Sequence, residues 1–160
     1  MEPIRVAWGA GRGPTATASF DAALADANLA NYNLVTVSSV VPADATVETV
    51  GTAPALGAVG DALYCILARA TRPPGASAPG WAGLGWARDG AGRGLFYEES
   101  GTHPEAVRGE IRAGLDHGMG LREWPPAADP EVVVESAPAS DDAHTTAVVV
   151  AAYGKSEPLV

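Results

Sequence analysis

The sequence predicts an α+β fold in which two helices lie beside a mainly antiparallel sheet. Most segments are rich in β-branched residues or are continuously apolar, which favours strands, and only two repeat apolar residues at helical spacing. The predicted order is a strand, a helix, several strands, a second helix and two final strands, which is typical of α+β or layered sandwich folds. With 160 residues, 47% of them hydrophobic, the chain is expected to form a single domain.

The first strand is predicted at residues 4–8 and is followed by a glycine-rich segment, residues 9–14. We predict a loop there, because the segment lacks the glycine that a dinucleotide fingerprint needs where Pro14 stands, and no Gly-Lys-Ser/Thr follows. Residues 15–29 predict a helix that Thr15, Thr17 or Ser19 could cap. Its apolar face is formed by Phe20, Ala23, Leu24 and Ala27.

The central part of the chain predicts five strands. The β-branched run at 34–41 ends at Pro42, and residues 62–71 form the continuous apolar run of a buried strand. Residues 51–60 and 72–79 are rich in glycine, alanine and proline and predict connections. The remaining strands of this part are predicted at 47–50, 80–88 and 93–99, the last two joined by a hairpin turn at 89–92.

The second helix is predicted to begin at Thr102, because Thr at the cap, Pro104 and Glu105 form a helix-start signature. Apolar residues then recur at helical spacing, and Gly118 is a predicted stop. Residues 121–130 predict a linker in which Trp124 packs. Two strands follow at 131–135 and 144–153, joined by an acidic turn, and the tail after Lys155 is expected to fray.

The charge composition excludes a nucleic-acid surface, which needs clustered Lys and Arg. The net charge is −9, and the ten basic residues comprise nine arginines and Lys155. Scarce lysine and high acidity suggest adaptation to a salty cytoplasm, although a GC-rich genome also replaces lysine with arginine. No run approaches the roughly 20 apolar residues that span a bilayer, and no signal peptide is recognisable, so we expect a cytoplasmic protein without membrane contact.

Neither a disulfide nor a metal site is predicted. Cys65 is the only cysteine and lies in an apolar segment typical of a buried strand. His103, His117 and His144 lack the helical or hairpin pairing of metal ligands. We therefore expect no metal cofactor.

Motifs spread through most of the chain resemble those of the pyruvoyl-dependent arginine decarboxylases. They are Phe20-Asp21, Asn33-Leu34, Val37-Ser38-Ser39 with Pro42 behind it, and Gly94-Leu-Phe-Tyr-Glu98. The resemblance implies a four-layer αββα sandwich that assembles as a trimer or as paired trimers, with the active site between neighbouring subunits. It also implies decarboxylation of L-arginine to agmatine and CO2, which feeds polyamine synthesis.

The same resemblance implies that the chain makes its own cofactor by cleavage between Ser38 and Ser39. The Ser39 hydroxyl attacks the Ser38 carbonyl, elimination releases Ser38 as a new C-terminus, and Ser39 becomes a covalent pyruvoyl group. Chains of residues 1–38 and 39–160 result. Pyridoxal phosphate is not expected, since the only lysine lies near the tail.

Site roles follow from the resemblance. Asp21 is expected to contact the substrate's guanidinium, with Leu24 and Ser38 also in the substrate site. Asn33 is expected to assist processing by holding the oxyanion; the alternative is a turn residue, a role that Asn31 nearby fits equally well. Glu98 is the expected proton donor, with a pKa raised by burial, whereas Glu99 should point to the opposite face as a surface residue.

Three other functions remain open from the residues alone. A serine hydrolase is disfavoured because no Gly-x-Ser-x-Gly elbow surrounds Ser38 or Ser39. A pyruvoyl-dependent decarboxylase of another amino acid keeps the fold, but Asp21 favours a cationic substrate. An uncleaved, non-catalytic homologue acting as a scaffold would retain a single full-length chain.

Overall fold

The computed structural model describes all 160 residues and contains nine strands and two helices. In chain order the elements are β1 (Ile4–Gly13), α1 (Ala16–Asp26), β2 (Asn33–Thr36), β3 (Val40–Val41), β4 (Val47–Gly51), β5 (Ala62–Arg72), β6 (Gly80–Arg88), β7 (Gly94–Gly101), α2 (Pro104–Leu121), β8 (Glu131–Ala137) and β9 (His144–Tyr153). Neither helix combines the length and the apolar composition that crossing a bilayer requires.

The strands form two sheets that stack face to face. Sheet 1 has the strand order β2-β5-β9-β1-β4, and sheet 2 has the order β3-β7-β6-β8. Parallel pairing is confined to β1 with β4 and β2 with β5, and all other pairs are antiparallel. The predicted α+β class and the mainly antiparallel pairing are confirmed.

Three apolar clusters separate four layers. One lies between the two sheets and includes Val6, Ile66 and Phe96. A second joins α1 to the outer face of sheet 1, and a third joins α2 to the outer face of sheet 2. The layers therefore follow the order helix, sheet, sheet, helix, as the αββα prediction requires.

The predicted loop at residues 9–14 is wrong, because β1 continues as a strand to Gly13. Gly9, Gly11 and Gly13 face α1, and a Cβ added at Gly11 would lie 2.5 Å from backbone atoms of Ala22 and Ala23. The glycines therefore allow the helix to pack directly on the strand backbone. They serve close packing rather than a turn.

The predicted single strand at residues 34–41 is also wrong. The chain leaves sheet 1 after Thr36 and enters sheet 2 at Val40, so β2 and β3 belong to different sheets. The connection between them is Val37-Ser38-Ser39. The serine pair thus lies in the short crossover between the two sheets.

The boundaries of both helices differ from the prediction. Helix α1 ends at Asp26 rather than near residue 29, with Asn28 in the left-handed region at φ 61°. Helix α2 has His103 rather than Thr102 at its N-cap, and the Thr102 hydroxyl lies 3.1 Å from His103 Nδ1. It also runs through Gly118 to Leu121, where Gly118 makes room for the ring of Tyr97.

Candidate active site

The backbone at Ser38 and Ser39 is held by one sheet on each side. The Val37 amide donates to the Cys65 carbonyl of sheet 1 at 3.0 Å, and the Phe96 amide of sheet 2 donates to the Ser39 carbonyl at 2.8 Å. Ser38 is exposed and Ser39 is half-buried. The peptide bond between them is therefore accessible while the chain on both sides of it is fixed.

The carbonyl of Ser38 already has a hydrogen-bond donor. The Val40 amide donates to it at 2.8 Å, which closes a three-residue turn centred on Ser39. A backbone N–H at this oxygen would favour the negative charge that develops when a nucleophile attacks the carbonyl carbon. Sequence reasoning missed this donor, because a backbone amide leaves no signal in residue identity.

Tyr153 is a second group that the sequence did not reveal. Its hydroxyl, at the end of β9, donates to the Val40 carbonyl at 3.0 Å, and its ring packs edge-on against Phe96. Burial raises the pKa of Tyr153 to about 12, so the hydroxyl remains a neutral donor near neutral pH. Tyr153 thereby fixes the peptide unit that follows the turn.

The chain beyond β3 is fixed by Arg88. Its guanidinium donates to the carbonyls of Pro42 at 3.3 Å and Ala43 at 2.9 Å, and also to that of Ala45. An arginine offers five donors, so a single side chain can bind several carbonyls of one segment. The segment after the serine pair is therefore restrained over several residues.

Glu98 lies beside the serine pair in the same chain. The β3–β7 register pairs Val40 with Leu95, and the Phe96 amide binds Ser39, so Glu98 is two residues further along β7. Two residues of a strand span about 7 Å. Strand alternation puts Glu98 on the face of Phe96, toward sheet 1.

The pKa of Glu98 is raised, chiefly because burial of the carboxyl disfavours its charged form and also because Glu99 is negative. A backbone hydrogen bond acts in the opposite direction but is outweighed. In the single chain much of the Glu98 side chain is still accessible, while Glu99, on the α2 face, is half-buried. The expectation that Glu99 is a plain surface residue is therefore wrong.

Two further predicted site residues, Asp21 and Leu24, lie one turn apart on α1. Leu24 is 7% exposed and belongs to the apolar cluster between α1 and sheet 1, which Leu34 of β2 and Leu67 of β5 also join. Asp21 is exposed and forms no ion pair within the chain. Its carboxylate is thus available to an external cation.

Asn33 does not lie near the serine pair of its own chain. It opens β2, and its side-chain amide donates to the Gly60 carbonyl at 2.7 Å. The five residues from Asn33 to Ser38 span about 16 Å of extended chain. Within one chain Asn33 therefore contacts the connection before β5 and does not reach its own scissile carbonyl.

Lys155, the only lysine, lies within 3.6 Å of a Glu2 carboxylate oxygen at the surface. No group of three His, Cys, Asp or Glu side chains is placed to hold a metal ion. The chemically distinctive feature of this region is therefore the serine pair itself, with its bound carbonyls and Glu98.

Comparison with known proteins identifies the family of the chain. The profile of the family described as pyruvoyl-dependent arginine decarboxylase (PvlArgDC) matches residues 3–158. Proteins named pyruvoyl-dependent arginine decarboxylase from two strains of Halobacterium salinarum are each 50% identical over 162 residues, covering 99% of this chain and 98% of the relative. The chain belongs to this family.

Membership in the pyruvoyl-dependent arginine decarboxylase family confirms the resemblance drawn from the motifs. The residues present also fit a pyruvoyl group, because Ser39 offers the required hydroxyl next to a carbonyl that already accepts an N–H. The acidic, lysine-poor composition fits relatives from Halobacterium.

Proposed function

We propose that this protein is a carbon–carbon lyase that decarboxylates L-arginine to agmatine and CO2 with a covalent pyruvoyl group derived from Ser39. The observation that carries the proposal is full-length 50% identity to proteins of that name. The hydrogen-bonded serine pair at the sheet crossover supports it. Agmatine would supply polyamine synthesis, and we place the enzyme in the cytoplasm.

Maturation breaks the Ser38–Ser39 peptide bond with one water consumed overall. The Ser39 hydroxyl oxygen attacks the Ser38 carbonyl carbon, and the amide becomes an ester and a free amine. Loss of the Ser39 α-proton expels the Ser38 carboxylate and leaves a dehydroalanine, which water converts to a ketone with release of ammonia. The products are residues 1–38, ending in a carboxylate, and residues 39–160, beginning with the pyruvoyl group.

In maturation, the Val40 amide is positioned to stabilise the oxyanion that forms at Ser38. A single such donor contributes roughly 10²–10³-fold in rate in known oxyanion sites. Asn33 is too far from the serine pair of its own chain. We propose that it assists the cleavage of a neighbouring subunit instead. Asn33→Ala is then expected to slow cleavage.

A pyruvoyl group at position 39 would supply a ketone for the substrate amine and a sink for the electron pair left by CO2. The Phe96 amide donates to the Ser39 carbonyl, the oxygen onto which that charge spreads. Glu98 returns a proton to the substrate carbon. Its raised pKa supports this role, because a carboxyl must be protonated at working pH to act as an acid.

Asp21 is proposed to bind the guanidinium of arginine, with Leu24 and Ser38 lining the site. The carboxylate has no partner of its own and can accept two parallel N–H bonds. Local bidentate recognition suits a salty cytoplasm, where the Debye length at 1 M salt is about 3 Å and long-range attraction is screened.

We also propose a trimer, or a pair of trimers, with the active site between subunits. The exposed edge strand β2, the residue that follows it and the neighbouring strand β5 carry the apolar side chains of Val35, Val37 and Tyr64 at the surface. An unpaired apolar edge beside the serine pair is a surface that a second copy would cover.

The direct test is release of CO2 and agmatine from L-arginine, measured with the purified protein beside its Ser39→Ala variant. The wild type should form both products, and the variant should form neither, because it lacks the hydroxyl that starts maturation. Ornithine, lysine and histidine serve as competing substrates. Turnover of another amino acid in place of arginine would contradict the proposed specificity.

A further inference from the structure

A cavity of about 290 Å3 opens on the α2 side of the serine pair. Its walls are Ser38, Ser39 and Val40 on one side and Leu95, Tyr97 and Arg122 on the other. Leu95 and Tyr97 face α2, whereas Glu98 points from β7 to the opposite face. The cavity is therefore separate from the side on which the proton donor lies.

Arg122 is the only charged residue in this cavity, and its guanidinium has no carboxylate partner within the chain. One nitrogen donates to the Gly118 carbonyl at 3.0 Å, which leaves most of its five donors free. The protein carries 19 acidic residues and ten basic ones. Arg122 is therefore a cation beside the scissile bond with donors free to bind an anion.

The position of Arg122 is fixed by the turn that ends α2. Amides of Glu123 and Trp124 donate to the carbonyls of Gly120 and Met119, which is the Schellman pattern, with Glu123 at φ 54°. The guanidinium also lies over the Trp124 ring at 5.7 Å. These contacts hold the charge at the mouth of the cavity.

Tyr97 adds a second free donor. Its ring lies against Gly114 and Gly118, where a Cβ would come within 2.4 Å and 2.7 Å of ring and hydroxyl atoms. Its hydroxyl forms no hydrogen bond within the chain, and Tyr97 lines the same cavity as Arg122. An anion in the cavity would thus meet the Arg122 guanidinium, with the Tyr97 side chain in the same wall.

We propose that Arg122 is a positioning residue that binds the carboxylate created at Ser38 when the chain cleaves. This role rests on the proposed maturation, which turns the uncharged Ser38 carbonyl into an anion on the wall of this cavity. Binding there moves the new C-terminus toward α2 and away from Glu98. The ketone at residue 39 is then left open to substrate.

The test compares the effect of Arg122→Gln on melting temperature in cleaved protein and in the uncleaved Ser39→Ala background. If Arg122 binds the new carboxylate, the substitution lowers the melting temperature of the cleaved protein by about 2–4 °C more than that of the uncleaved one. The difference should shrink as salt is raised. Arg122→Lys should recover part of it, since the charge is kept.

Arg112→Gln is the matched control, because Arg112 is exposed on the same helix and forms no ion pair. It should shift both backgrounds equally. If Arg122→Gln shifts the melting temperature of fully cleaved and uncleaved protein equally, Arg122 does not bind the new carboxylate, and the proposed maturation is unaffected. A wild type whose mass shows no cleavage would overturn the proposed maturation and this role together.

Discussion

Tyr153 provides a test of how the fold prepares the scissile bond. Its hydroxyl donates at 3.0 Å to the Val40 carbonyl, and the amide of Val40 donates at 2.8 Å to the Ser38 carbonyl. Tyr153→Phe removes the first hydrogen bond while it keeps the ring against Phe96. The turn that presents the Ser38 carbonyl should then be populated less often.

The magnitude follows from the net value of one hydrogen bond, about 0.5–1.5 kcal/mol. If this whole free energy is lost from the cleavage-competent turn, maturation slows by between about twofold and about tenfold. The assay is a time course on denaturing gels of precursor made by cell-free synthesis. The fitted rate constant for loss of the full-length band is the quantity compared.

Tyr32→Phe is the control, since the Tyr32 hydroxyl accepts from the Leu56 amide at 2.8 Å, away from the serine pair. Both variants lose one hydroxyl bond, and both should melt at a slightly lower temperature. Only Tyr153→Phe should slow cleavage. Equal cleavage rates in wild type and Tyr153→Phe would refute the idea that this contact prepares the bond.

Three other substitutions test separate parts of the account. Glu98→Gln should lower kcat by roughly 10²–10⁴-fold and leave maturation intact. In the wild type, kcat should fall as pH rises through the raised pKa of Glu98, because the protonated carboxyl is the donor. A cleaved Glu98→Gln protein with wild-type kcat would show that Glu98 is not the proton donor. Asp21→Asn should raise KM for arginine by about tenfold or more, and unchanged affinity would exclude the guanidinium contact. Gly11→Ala should destabilise the protein by about 1–3 kcal/mol in denaturant melts, because its Cβ would lie 2.5 Å from α1 backbone, whereas Gly90→Ala, with no atom within 4 Å, should have little effect.

The sequence predicts element types well where local pattern and tertiary environment agree. The buried strand near residues 62–71, the hairpin around 89–92 and the amphipathic second helix are all present. Asp89 stabilises that hairpin turn, because its carboxylate accepts from the amides of Ala91 and Arg93. In each case the residues that favour the local structure also make its contacts.

Prediction fails where tertiary packing overrides the local signal. Glycines 9, 11 and 13 suggest a flexible loop, yet they form a strand because α1 packs against their missing side chains. The β-branched run at 34–41 suggests one strand, and no residue in it signals that the chain changes sheets at Ser38. Such features depend on partners far along the chain.

The candidate site likewise combines residues that the sequence predicts with contacts that it does not. Motifs locate Ser38, Ser39 and Glu98, and the structure adds that Glu98 lies two residues beyond Phe96, whose amide binds Ser39. Tyr153 contacts Val40 across 113 residues of sequence, and the amides of Val40 and Phe96 act through the backbone, so none of these leaves a pattern to find. Gly114 and Gly118 on α2 could have indicated the contact with Tyr97, because two glycines one turn apart suggest that another group packs closely on the helix.

Intact mass of the purified protein under denaturing conditions tests self-cleavage most directly. Self-cleavage should give two species, residues 1–38 with a free carboxylate and residues 39–160 beginning with a pyruvoyl group. A catalytically active sample consisting of one 16.2 kDa chain with an unmodified serine at position 39 would contradict it.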